Sequence, residues 1–184
     1  MLALIAIWAL AEAILFFIVA DVPIMALGIK AGWRKALVGA LVGAIFAAIG
    51  GTTLAYAASQ SPLQIIDLML SVPAVDQALI EQVWDDWQDN GAIGMLLGSV
   101  SGVPYKLYAA TAGMQILFGE VASSLTLFFF ASITARLPRF ALVALVAGWL
   151  GPRLVKRFGA RLVWSGFVLG WVGFYALYWS LMGF

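Results

Sequence analysis

The chain has 184 residues, 64% of them hydrophobic and 10% charged, with a mean hydropathy of +1.04; a soluble domain is nearer half apolar and a quarter charged. So much apolar surface cannot hide in one core of this size, which leaves lipid to cover it and no room for a second, soluble domain. Cysteine and histidine are absent and the net charge is +1, which excludes disulfides, thiol catalysis, Cys/His zinc sites and His-ligated haem and gives no case for nucleic-acid binding.

The first apolar stretch, 2–28, has no Lys or Arg before Lys30, so it lacks the basic region of a cleavable signal and residue 1 onward reads as mature protein. It carries Glu12 and Asp21, with Pro23 as a breaker, and reads as a re-entrant hairpin. Lys30, Arg34 and Lys35 form a basic loop before the span 36–58. In that span Gly39, Gly43, Ala47 and Gly51 recur every four residues, a small stripe where another helix can approach closely. The connector 62–90 is acidic, with Asp67, Asp76, Glu81, Asp85, Asp86 and Asp89, and no basic residue lies between Lys35 and Lys106. Val75, Leu79, Val83 and Trp87 share one face of it, which predicts an amphipathic helix on the outer surface, a lid on the second hairpin or a gate.

Two further stretches, 91–119 and 121–150, precede a basic loop of Arg153, Lys156, Arg157 and Arg161, and a last span covers 162–183. Each exceeds the roughly 20 residues needed to cross about 30 Å of hydrocarbon. Basic loops stay cytoplasmic, so 30–35 and 151–161 lie inside and the 60–90 connector outside. Two full spans between residues 91 and 150 would put four basic residues on the wrong side. A re-entrant hairpin over 91–119 restores the count, and Gly98, Ser99, Ser101, Gly102 and Pro104 supply its turn. The fold class is then all-α integral membrane: an inverted repeat of re-entrant hairpin plus span, an external amphipathic helix, and a C-terminal span. Trp164, Trp171, Tyr178 and Trp179 in the last span fit lipid contact and interface anchoring.

Charges inside apolar segments are the informative residues. Each costs roughly 2.5–3.5 kcal/mol at the centre of a lipid-exposed helix, so each should face the interior with a partner. Five qualify: Glu12, Asp21, Lys106, Arg136 and Arg139. Arg136 and Arg139 share one helical face around Pro138; Lys106 follows Pro104 and Tyr105 at the second hairpin's tip; Glu12 and Asp21 flank the first. Three bases against two acids leave one positive charge over, suited to an anion such as a phosphate head group. The buried acids could exchange protons, or the charges could form neutralising pairs that only hold the hairpins together. Glu120 falls at a surface turn. A Ser99 or Ser101 nucleophile with Lys106 as base is a weak pattern, so no catalytic residue, metal or cofactor is expected.

The run Ser99-Val-Ser-Gly-Val-Pro-Tyr-Lys-Leu-Tyr-Ala-Ala-Thr-Ala-Gly113, followed by Arg136-Leu-Pro-Arg-Phe140, resembles the DedA family, also called the SNARE-associated or VTT-domain family, in its short bacterial branch. The resemblance covers Glu12 to about Gly151 and is stronger in the second half. It implies two facing re-entrant hairpins and translocation of phospholipids or polyprenyl-phosphate carriers between leaflets of a bacterial inner membrane, in some members with proton coupling. It also implies that Glu12 and Asp21 match the family's membrane-embedded acids, and Lys106, Arg136 and Arg139 its basic residues. The chain departs from the better-studied branch where Lys106 replaces an arginine, Ser99 or Val100 stands near another, and Pro23 is the one proline after Glu12 in the acidic motif. The expectation is a lipid translocase binding an anionic head group through Lys106, Arg136, Arg139 and Tyr105, with Glu12 and Asp21 for proton coupling. The partners are membrane lipids, with a homo-oligomer or a larger membrane complex open. A proton- or cation-coupled small-solute carrier and a non-transporting subunit or assembly factor remain the alternatives.

Overall fold

The computed structural model describes the chain apart from residues 16–17, 74, 119–123 and 183–184, with backbone alone at 99, 100, 181 and 182. Its described residues are helical, without strands: α1 (Leu2–Ile14), α2 (Asp21–Ala31), α3 (Trp33–Gln60), α4 (Pro62–Leu70), α5 (Gln77–Asn90), α6 (Ala92–Ser101), α7 (Tyr105–Leu117), α8 (Leu125–Phe158) and α9 (Ala160–Met182). Three are long and apolar enough to cross a membrane: α3, α8, and α9 over Ala160–Ser180. These are the spans expected over 36–58, 121–150 and 162–183. The chain is a membrane protein of all-helical architecture. At about 1.5 Å per residue, α3 and α8 reach roughly 42 and 51 Å, while the arms α1, α2, α6 and α7 reach only about 15–20 Å.

Glycine-defined contacts give the direction of the arms. A Cβ on Gly39 would meet both Ile5 at the start of α1 and Leu27 near the end of α2, and a Cβ on Gly50 would meet the Leu10 carbonyl and Ala13. Hence α1 runs along α3 and α2 folds back over it. The second pair folds back likewise: Tyr108 of α7 lies over Gly94 and Gly98 of α6. Gly102, at φ +94, ends α6 in the left-handed conformation that glycine adopts without penalty, and Pro104 precedes the first residue of α7.

The four arms divide evenly over the long helices. Of the first pair, α1 lies along α3 and α2 along α8; of the second, α6 lies along α8 and α7 along α3. Each pair builds its own core, one around Ile5, Ile24, Leu27 and Phe140, the other around Met95, Leu107, Tyr108 and Phe128. The small stripe on α3 takes the close approaches: Gly43 faces Ile24, Ile5 and Phe140, and Gly51 leaves the space that the Tyr105 hydroxyl fills.

One expectation needs correction. Pro23 does not break the first pair: α1 ends at Ile14, α2 starts at Asp21, and Pro23 sits in the first turn of α2, where a missing N–H removes no helical bond. The Val19 carbonyl there takes the Trp8 indole N–H at 3.1 Å. The connector holds α4 and α5, the latter an amphipathic helix, and Asp76 caps α5 by accepting the Leu79 N–H at 2.8 Å. Pro138 does not interrupt α8, which continues through it and through Pro152.

The connector packs on the second pair with the expected apolar face: Val75, Val83 and Trp87 are buried. Polar bonds reinforce it. Tyr108 donates to Asp86, and Gln115 donates to the Trp84 carbonyl at 2.9 Å. By contrast, no described side chain of α9 is buried.

Candidate functional site

The two tips meet. Lys106, second residue of α7, donates from Nζ to the Leu15 carbonyl at the end of α1, at 2.6 Å. Both tips converge on the Ala47–Gly51 stretch of α3 and the Ser132–Arg139 stretch of α8. Tyr105 joins them, its hydroxyl donating to Ser132 Oγ at 2.8 Å with the Ala47 carbonyl at 3.4 Å, while Ser132 donates to the Phe128 carbonyl at 2.7 Å.

All five charges singled out in the sequence come to this junction. Arg136 Nη2 stands 3.0 Å from Glu12 Oε1, and Arg139 Nη2 donates to Asp21 Oδ2 at 2.6 Å. The i,i+3 spacing on α8 therefore places one arginine on each acid flanking the first tip. Glu12 does double duty: its Oε2 accepts the Ala20 N–H at 2.9 Å, capping α2 from the neighbouring helix. Asp21 in the first turn of α2 complements the same positive helix end.

Arg136 is the most enclosed of the bases, 2% exposed. Its guanidinium lies 4.4 Å from the centroid of the Tyr105 ring and 5.3 Å from that of Phe140, both within cation–π range. Its Nε and Nη2 make no hydrogen bond among the described residues, so the Glu12 contact is attractive by distance but not aligned for donation. Asp21 Oδ1 is likewise without a hydrogen bond there. Buried polar atoms left in this way cost roughly 1–3 kcal/mol each, more when charged.

Arg136 borders a cavity of about 170 Å³ lined also by Glu12, Tyr105, Lys106 and Arg139, with Gly102, Val103 and Pro104 from the second tip. That is far more than the roughly 10–15 Å³ a single water needs. Its outer wall is Phe174, Tyr175 and Tyr178 of α9. Tyr178, read from the sequence as lipid contact and interface anchoring, thus faces the charges, and Phe174 and Tyr175 were not singled out at all. Nothing in an aromatic-rich, lipid-exposed span distinguishes the rings that turn inward.

The N-terminus of α7 opens on this cavity with no side-chain cap and no acidic residue in its first turn. Ser101 donates to the Gly98 carbonyl, within α6; the Ser99 side chain and Glu120 lie outside the described residues. Among the described residues no three His, Cys, Asp or Glu stand close enough to hold a metal. No family model, curated protein or solved structure matches this chain, so its own geometry must carry the functional reading.

Proposed function

We propose that the chain is a membrane lipid translocase that takes an anionic, phosphate-bearing head group into the cavity between the two tips. One observation carries this reading: a guanidinium 2% exposed on a cavity wall, with Nε and Nη2 lacking hydrogen bonds among the described residues. Arginine's planar fork matches phosphate oxygens bidentately. Lys106, Arg139 and the N-terminus of α7 line the same cavity, and the five charged side chains sum to +1. Glu12 and Asp21 hold the arginines until the phosphate displaces them, and protonation of either acid weakens that competition.

The setting is two re-entrant hairpins. Arms of about 15–20 Å fall short of the roughly 30 Å hydrocarbon, and broken backbone at that depth persists only against protein or a water-filled cavity. Exchanging α1, α2, α3 for α6, α7, α8 reproduces the pattern of helix contacts, as an inverted repeat would. The basic residues of 30–35 and 153–161, at the ends of α2, α3, α8 and α9, favour a cytoplasmic side for those ends, with α4–α5 outside. The resemblance of the Pro104-Tyr-Lys106 and Arg136-x-x-Arg139 segments to the DedA family supports the same reading.

The test is transport of fluorescent phosphatidylglycerol between leaflets of proteoliposomes containing the purified protein. Arg136→Ala, Arg139→Ala and Lys106→Ala should each abolish or strongly slow it, and undiminished rates in all three would overturn the reading. A proton-coupled small-solute carrier is the second reading, favoured by the unbonded Asp21 Oδ1. Flux driven by a pH gradient without lipid movement would select it.

A further inference from the structure

Phe174 of the aromatic wall also borders the first of three adjoining apolar cavities, of about 310, 320 and 390 Å³, that run between α9 on one side and α2 and α8 on the other. Met25 of α2 borders all three. On α9 the groove follows Leu162, Gly166, Gly170 and Phe174; on α8 it follows Val146, Leu150 and Leu154. From Leu162 to Phe174 it rises about 18 Å at roughly 1.5 Å per residue, somewhat more than half of a bilayer's roughly 30 Å of hydrocarbon.

Gly166 and Gly170 keep the groove wide. A Cβ on either would meet nothing within 4 Å, so these glycines serve neither helix packing nor a turn.

We infer that this groove is the binding site for one acyl or prenyl chain of the lipid whose phosphate occupies the Arg136 cavity, so that head and tail are held on one continuous track along α9. This deepens the translocase reading and rests on it for the identity of the head group. The occupant follows from three features together: an almost wholly apolar lining, adjacency to a cationic cavity across a single shared ring, and a length near one monolayer. A chain inside the groove exchanges lipid contacts for protein contacts. Selectivity over bulk lipid therefore comes from the tethered head group.

The test uses the full-length protein in liposomes of phosphatidylethanolamine and phosphatidylglycerol, with a phosphatidylglycerol probe bearing a photoreactive diazirine midway along one chain. Labelling should concentrate on Met25 and Phe167, roughly tenfold over Leu41 and Val172, which are exposed and do not line the groove. Gly170→Trp, or Gly166→Leu if that variant is poorly produced, should fill the groove and remove the excess at Met25 while the melting temperature stays unchanged. Even labelling of all four positions would overturn the inference. So would disulfide-linked dimers of Gly166→Cys in a chain that has no other cysteine, since these would put a second copy in the groove. The two proposals fail separately. Even labelling with Arg136-dependent transport sinks only the groove, and groove labelling without transport sinks only the translocase.

Discussion

The two hairpins make equivalent contacts with α3 and α8, yet their tips carry opposite chemistry. In the first, the N-terminus of the returning helix α2 already holds its own anion: Glu12 caps Ala20 and Asp21 stands in the opening turn. In the second, the N-terminus of α7 has no side-chain cap, and Lys106 adds a further positive charge. One hairpin is electrostatically complete. The other presents at the equivalent place a helix end, a lysine and, from α8, an incompletely hydrogen-bonded arginine. Two helix pairs can thus pack alike while their tips differ in charge, and on the function proposed above an anion takes the place of the carboxylate that the second pair lacks.

The largest effect expected from breaking this contrast is at Arg136. Arg136→Ala leaves Glu12 buried beside the cavity without its countercharge, which costs about 3–5 kcal/mol; unfolding followed in detergent should show it. Glu12→Gln keeps an acceptor for the Ala20 N–H and should cost distinctly less than Glu12→Ala. Next come the glycines that seat each hairpin on α3. A Cβ on Gly113 would run into the Ala55 carbonyl, and one on Gly50 would lie 2.7 Å from the Leu10 carbonyl. Both alanine variants should lose about 1–3 kcal/mol, with Gly113→Ala the worse, and equal stability to the parent would show that α1 and α7 are not pinned as described.

Smaller effects separate the hairpins. Tyr108→Phe removes the bond to the half-buried Asp86 that ties α5 to the second hairpin, a loss of about 1 kcal/mol. It should raise amide exchange in α5 and leave α1 and α2 untouched. Arg139→Ala removes an arginine whose side chain is 37% exposed but leaves Asp21, 10% exposed, without its countercharge, so stability should fall by about 1–3 kcal/mol, less than at Arg136. A loss as large as that at Arg136 would mean that the exposure of Arg139 does not soften the break.

The sequence makes some of this legible and hides the rest for physical reasons. Long apolar runs interrupted by basic loops identify α3, α8 and α9, because lipid tolerates few other compositions. The five site charges stand out because each is expensive in such a run. The pairing of Glu12 with Arg136 and of Asp21 with Arg139 is not legible, since it depends on how far α1 slides along α3 and α2 along α8. Nor are the end of α1 at Ile14 and the start of α2 at Asp21, since Leu15, Ile18 and Val19 are not turn residues and Pro23 draws attention downstream. The wall formed by Phe174, Tyr175 and Tyr178 contains no charged residue to mark it.

Everything proposed for the cavity depends on α6 and α7 entering and leaving the membrane on one side. Asn90 and Ser124 flank that hairpin and are exposed, and the chain has no cysteine of its own. Single cysteines at these two positions, probed with a membrane-impermeant thiol reagent in oriented vesicles, measure it directly. Both should react from the same face, opposite to a cysteine at Arg161. Reaction of Asn90→Cys and Ser124→Cys from opposite faces would mean that the segment crosses the bilayer, and the shared phosphate site could not exist.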